Sequence, residues 1–221
     1  MQTAPLDMRL EKKADAADGA RGVTACWSCR GPVADGGIFC PTCGAVRPPA
    51  DIDHFARLGL PRMFDTDPVA LDRSYFDAQR RLHPDRFATR TPRERAFSQL
   101  QAVSLNEAYE ALKDPVRRAE YLLGLNGIEV VPEGCSLVNE QALLHEVMEL
   151  REALAEAEGV DAINALERDA LDDVAACMGA LSAAFAVDDL SSAARTTTRL
   201  KYLSKFVQEC RGRRARLGQH E

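Results

Sequence analysis

Four cysteines offer the clearest chemistry in this chain. Cys26 and Cys29 form one Cys-x-x-Cys pair, Cys40 and Cys43 form a second, and ten residues lie between the pairs. Two cysteines three apart in a tight turn can put both thiolates on one side of a metal ion, and two such turns complete a tetrahedral shell. Four thiolates leave no open coordination position, so the site is structural, and in so short a segment metal binding is most of what folds it. Zinc is the expected ion, with an iron or redox role as the alternative. Cys135, Cys177 and Cys210 are isolated among apolar or loop residues and read as buried or incidental thiols.

A second cluster is His83-Pro84-Asp85, preceded by Arg80 and Arg81 and followed by Arg86. Proline fixes the backbone immediately after a helix, so His83 and Asp85 are held in a defined turn. A histidine beside a carboxylate invites an acid–base reading, but no nucleophile or further ligand accompanies the pair, and a projecting turn cannot exclude water. The plainer alternative is a helix cap followed by a turn former. An enzyme is therefore the weakest class for this chain.

The elements that must position these groups are helical. Asp53 caps a short helix that Gly59 and Pro61 end. Asp67-Pro68 opens a longer one, with Leu71, Tyr75, Ala78 and Leu82 on one face, and Pro84 stops it. Thr91-Pro92, with Glu94 completing a capping box, starts a helix reaching about Leu112, with Leu100, Val103, Ala108 and Leu112 expected inward. Asp114-Pro115 opens a last short helix containing Tyr121 and Leu122. The two long helices should form an antiparallel hairpin joined by the His-Pro-Asp turn. In the metal segment, Trp27, Ile38 and Phe39 are expected as apolar filler.

Composition sets the frame. The chain has 221 residues, 46% of them hydrophobic, and a formal net charge of −6, which suits two small packed domains and excludes wholesale disorder. The longest nearly apolar stretch, residues 175–187, is 13 residues long, short of the roughly 18 that cross a bilayer. The acidic first twenty residues carry no convincing signal or transit peptide, and paired cysteines suit a reducing compartment, so the chain reads as intracellular. We divide it into a flexible lead (1–22), a four-cysteine knuckle (23–50, ending on Pro48-Pro49), a helical hairpin region (51–125) and a C-terminal helical region (126–221).

Charge is uneven in that last region. Residues 126–190 hold 2 basic and 15 acidic side chains, whereas residues 191–221 hold 8 basic and 2 acidic. Mutual support of adjacent helices is favoured over a dedicated ionic docking site. The terminal run Arg211, Arg213, Arg214 and Arg216 has no interleaved aromatics, and only six basic residues fall in the first fifty. A zinc-ribbon nucleic-acid binder is accordingly a poor rival. In a helix expected over residues 139–158, Leu143, Val147, Leu150 and Leu154 make one inward stripe. Leu144 and Met148 make a second, flanked by His145, Glu149 and Glu152. One helix rarely needs two stripes to close a three-helix bundle, so the second is a candidate docking face, the alternative being that both are core.

Taken together, His54-Phe55, Leu58-Gly59-Leu60-Pro61, the run from His83 to Phe87, Asn106-Glu107-Ala108-Tyr109, Asp114-Pro115-Val116 and the segment 117–123 resemble a J-domain. With Met148-Glu149-Leu150-Arg151-Glu152, the likeness narrows to the HscB family of J-type co-chaperones in iron–sulfur cluster assembly, over residues 51–210. Some members also carry an N-terminal four-cysteine metal knuckle. The resemblance implies a mainly α protein: a J-domain hairpin, a C-terminal three-helix bundle and a small zinc knuckle. It implies a non-catalytic adaptor that stimulates the ATPase of a DnaK-type chaperone through His83, Pro84 and Asp85, with Arg73, Tyr75, Arg80, Arg81 and Arg86 as supporting contacts. It further implies that Leu144, His145, Met148, Glu149 and Glu152, with Tyr202 from the final helix, receive the iron–sulfur scaffold protein. A monomer or weak dimer in the cytoplasm, or alternatively the mitochondrial matrix, fits this role, without nucleic acid or membrane. A general co-chaperone for unfolded clients is the rival within the same class.

Overall fold

Each helix start in the central region has a short polar residue that accepts a backbone N–H, and three of the four follow it with proline, whose missing N–H costs nothing in a first turn. The computed structural model describes residues 23–34, 36–128 and 141–217. Helix α1 (His54–Leu58) is capped by the Asp53 carboxylate, which accepts from the Ala56 amide at 2.8 Å, and ends on Gly59 at φ +66°, where a side chain would be strained. Helix α2 (Pro68–Leu82) starts on Asp67 and stops before Pro84; a 3-10 turn (Pro84–Phe87) follows. Helix α3 (Pro92–Lys113) begins with the expected Thr91/Glu94 capping box, and α4 (Pro115–Leu125) begins on Asp114. Helices α5 (Gln141–Glu156), α6 (Gly159–Ala186) and α7 (Leu190–Leu217) complete the chain. Ahead of them, strands β1 (Val23–Ala25) and β2 (Pro32–Ala34) pair antiparallel, with Thr24 opposite Val33. The lead over residues 1–22, Cys135 and the first residues of the expected 139–158 helix lie outside the described residues.

Helices α2 and α3 form the expected hairpin, and Ala108 and Leu112 face inward as expected, but the first half of α3 turns a different face to the core. Leu100 and Val103 are 52% and 54% exposed, while Ser98, Gln101, Leu105, Ala108, Tyr109 and Leu112 are buried. Two inward positions are polar because backbone acceptors await them. The Ser98 hydroxyl donates to the Leu82 carbonyl at 2.8 Å, and the Gln101 amide donates to the Arg47 carbonyl at 3.0 Å. A buried polar group with its hydrogen bond made is tolerated, and here each bond ties α3 to another element.

Packing runs on without a break from the hairpin into the bundle. One apolar cluster contains Val46, Phe55, Leu82, Leu105 and Leu123 together with Leu181, Leu200 and Leu203. Phe64 stacks on Phe185 at 5.5 Å between ring centres, Arg118 lies over Phe64, and Lys201 pairs with Glu120 at 2.9 Å. Within the bundle the charge asymmetry resolves into ion pairs. Arg199 of α7 bridges Glu146 of α5 (2.7 Å) and Asp173 of α6 (3.1 Å), and Arg211 and Arg214 both reach the buried Glu167. Two members of the C-terminal arginine run thus support α6. No helix among the described residues is long and apolar enough to cross a membrane.

Candidate functional site

The His-Pro-Asp corner is held from behind and open in front. Leu82 and Phe87, on either side of it, are buried, and Ser98 fixes the Leu82 carbonyl, so the turn cannot swing away from the hairpin. Pro84 forces His83 out of the helix, to φ −53° and ψ 132°. His83 Nδ1 then accepts from the Asp85 amide at 3.3 Å and lies 3.5 Å from the Asp85 carboxylate, while the His83 carbonyl accepts from the Arg86 amide at 3.0 Å. The Asp85 side chain is 89% exposed. The pair is preorganised for contact with another body rather than enclosed for chemistry.

The supporting residues divide by their engagement. Arg81 and Arg86 are exposed beside the corner, and Arg80 is exposed but paired with Asp77. Tyr75 is half-buried: its ring stacks on Tyr109 at 4.0 Å and its hydroxyl donates to Asn106 at 2.9 Å. Arg73 is exposed ten residues before His83, about 15 Å along the helix axis at 1.5 Å per residue.

The four cysteines converge as their spacing predicts. Their sulfurs lie within 4.8 Å of one another, and Cys26–Cys43 and Cys29–Cys40 are each 3.8 Å apart. A tetrahedron with metal–sulfur bonds of about 2.3 Å has edges of about 3.8 Å, so the arrangement fits one ion. The two knuckles repeat one backbone design. The amide of Cys26 donates to Gly31 O and that of Arg30 to Cys26 O; the amide of Cys40 donates to Ala45 O and that of Gly44 to Cys40 O. Arg30 (φ +60°) and Gly44 (φ +72°) occupy the matching left-handed position. Backbone amides then point at sulfur. The Cys43 amide, outweighing burial, draws the Cys40 thiol down to about 6, and the Cys29 and Ser28 amides lower Cys26. Cys29 receives the Gly31 amide, but the adjoining Cys43 thiol and burial push it up to about 11. A site with two acidified thiols beside one that holds its proton suits a cation that displaces that proton.

The knuckle's aromatic residues face outward, contrary to their expected role as filler. Ile38 and Phe39 pack on the hairpin core, with the Arg81 guanidinium 4.6 Å above the Phe39 ring. Trp27 donates to the Val46 carbonyl at 2.8 Å, meets Phe97 edge-on at 5.6 Å and lies under Arg93. These rings join the metal segment to α2 and α3. Sequence reasoning missed the docking because apolar residues next to cysteines serve either purpose equally well.

On α5 the two stripes separate. Leu143, Val147 and Leu154 are buried, whereas Leu144 (39%) and Met148 (54%) are exposed. His145, Glu149 and Glu152 are exposed around them, His145 Nδ1 lying 3.3 Å from Glu149. Tyr202 is not on that surface. At 8% exposure it packs under α5 against Leu143 and Val147 and supports the face from below. Arg199 grips Glu146 through Nε (3.0 Å) and Nη2 (2.7 Å), a fork that raises its pKa further. At the other end of α5, Arg213 donates to the carbonyls of Ala155 and Ala157, both at 3.1 Å. Neither latch was identified from sequence, although the acidic and basic halves of the bundle were the signal for the first.

Comparison with known proteins agrees with this geometry. A DnaJ domain model matches residues 53–121, and a model described as the HSCB C-terminal oligomerisation domain matches residues 139–211. The human iron–sulfur cluster co-chaperone protein HscB is 35% identical over 188 residues, covering 83% of this chain and 80% of its own length. The crystal structure of the human protein superposes with a TM-score of 0.80 at 34% identity, over 86% of this chain and 98% of that one. HscB from Vibrio cholerae gives 0.68 at 34% identity, over 75% and 99%. With both domain types in the same order, and with relatives matched over most of their length, the chain belongs to the HscB family of iron–sulfur cluster co-chaperones.

Proposed function

We propose that this protein binds an iron–sulfur scaffold protein through the α5 face and delivers it to a DnaK-type chaperone, whose ATP hydrolysis it stimulates through the His83-Pro84-Asp85 corner. The single observation that carries the reading is the corner itself: an exposed histidine and aspartate, locked by proline and anchored by the buried Leu82 and Phe87. Hydrolysis belongs to the partner, and the chain contributes a shaped contact. Arg81 and Arg86 beside the corner favour an acidic surface and a salt-sensitive association rate. The exposed Leu144 and Met148, ringed by Glu149 and Glu152, support a partner that brings an apolar anchor with basic flanks. The four thiolates hold zinc, which supplies a structural cross-link between the two knuckles. The working compartment is the cytoplasm, and the chain acts there as a monomer or weak dimer.

His83→Gln tests the division of labour. Stimulation of the chaperone's ATPase should vanish while affinity for the scaffold is unchanged. Full stimulation by the variant, or loss of both properties with the fold intact, would overturn the proposal.

A further inference from the structure

Helix α3 turns the apolar pair Leu100 and Val103 to solvent, each more than half exposed, and neither the corner nor the α5 face uses them. At about 100° per residue, Arg93, Ala96, Leu100, Val103, Glu107 and Glu110 fall within one arc of about 100°, on the side of α3 away from its buried residues. All six are exposed. The arc carries a cation at one end, apolar residues in the middle and anions at the other end. Arg93 is held at its end over the Trp27 ring, at 4.6 Å. At the opposite end, Glu107 and Glu110 make no ion pair among the described residues. Lys113, the one lysine of α3, lies outside the arc over the Tyr109 ring at 5.0 Å.

This arc is its own complement. Reversed about the point midway between Leu100 and Val103, it sets Leu100 against Val103, Ala96 against Glu107 and Arg93 against Glu110, since each pair is placed symmetrically about that point. A two-fold axis makes the same reversal, residue i of one copy meeting j of the other and j meeting i. Parallel placement would instead bring Arg93 onto Arg93 and glutamates onto glutamates, so charge selects the antiparallel arrangement. The end charges lie about 13 Å from the axis at 1.5 Å per residue. At a crossing angle of about 20° they diverge by only about 5 Å, within reach of an arginine side chain.

We infer that the outer face of α3 is the contact of a symmetric, antiparallel dimer of this protein. The inference gives an interface to the weak dimer of the proposed function, on which it rests, and draws on neither the corner nor the α5 face. One helix pair covers less than the roughly 1,200 Å² of a stable complex, so the dimer is weak, with a Kd of about 100 µM.

Sedimentation equilibrium of the full-length, metal-loaded protein, from well below to well above that concentration, tests it. Leu100→Asp, Arg93→Glu and Glu110→Arg all change exposed side chains, and circular dichroism checks that each variant is folded. Each alone should raise the dimer Kd more than tenfold, the two charge reversals because they set like charges at both ends of the contact. An equimolar mixture of Arg93→Glu and Glu110→Arg should dimerise as wild type does, because opposite charges then meet at both ends. A mixture no tighter than its components overturns the inference. Wild type that stays monomeric throughout refutes the inference together with the weak dimer, and leaves the His83→Gln test of the corner untouched. A dimer that persists in all three variants places association elsewhere, as in the C-terminal region, and refutes the α3 contact alone. Leu100→Asp that self-associates normally but loses affinity for the ATP-bound chaperone assigns the face to that partner and overturns the inference.

Discussion

Truncating the exposed stripe of α5 by Leu144→Ala with Met148→Ala should remove the centre of the proposed scaffold contact and leave the chain folded. Full burial of a leucine or methionine side chain is worth about 1.5–3 kcal/mol. Only the fractions still open to solvent, 39% for Leu144 and 54% for Met148, are available to a partner. Together they amount to roughly one full side chain, or about 2 kcal/mol, which is about a thirtyfold rise in Kd. Isothermal titration of the scaffold protein into wild type and double variant reads this directly. The same double variant should lose a comparable amount of stability, about 2 kcal/mol, because more than half of Leu144 and nearly half of Met148 are already covered within the fold, so its melting temperature should fall by several degrees while the chain stays folded at 25 °C. Leu143→Ala is the necessary contrast: it removes a buried residue, costs about 2–5 kcal/mol of stability and weakens binding only through a loosened helix. An unchanged Kd in the folded double variant would refute the assignment of this face.

Metal removal and pH give two further tests. Trp27 is the one tryptophan in the chain and lies between Phe97, Arg93 and the Val46 carbonyl. Chelation should therefore shift its emission to the red as the knuckle leaves α3, while helical circular dichroism is retained; an unmoved spectrum with the four thiols freely titratable would separate metal from docking. His54 stacks on Tyr121 at 4.1 Å with a buried, unpartnered Nδ1, and burial, then Arg57, lowers its pKa below the ordinary 6.5. The unfolded chain binds the proton more readily than the folded one, so this contribution to stability is whole above about pH 6.5 and is lost as pH falls through the folded value. His54→Phe keeps the stack and cannot titrate; its melting temperature should decline less than that of wild type between pH 7.5 and 5.5, and parallel curves would sink the assignment.

The features legible in the sequence were those set by local chemistry. Asp53, Asp67, Thr91 and Asp114 each begin a helix where a short polar residue precedes the first turn, and three of them precede proline. The cysteine spacing gave the converging sulfurs for a similar reason: a Cys-x-x-Cys turn closes on itself. What depended on distant partners was not legible. In α3 the pattern holds at Ala108 and Leu112 but fails at Leu100 and Val103, because Ser98 and Gln101 bury themselves on carbonyls 16 and 54 residues away, and an apolar-only pattern has no way to see those acceptors. Tyr202 went to the surface in the sequence reading and to the interior in the structure, since one side of an amphipathic aromatic looks like the other until α5 is laid across it.

The two proposed surfaces are carried by different helices, and the way those helices are joined decides what kind of adaptor this is. Helix α5 packs on α6 and α7, and α7 packs in turn on α4 of the hairpin. A flexible tether between the halves would raise the effective concentration of one partner near the other and do no more. Here the joint is packed instead. Phe64 stacks on Phe185, the Ser182 hydroxyl meets Asp65, Lys201 pairs with Glu120, and the apolar cluster is shared across the boundary. Buried Arg118, donating to the Leu112 carbonyl at 2.6 Å with its guanidinium over Phe64, fixes α4 to both α3 and the Phe64 contact. A scaffold held on α5 is thus oriented relative to the His-Pro-Asp corner as well as brought near it. Orientation is what a trigger needs if cargo and ATPase are to meet in one productive geometry, and an interface with this much shared core supplies it without any moving part.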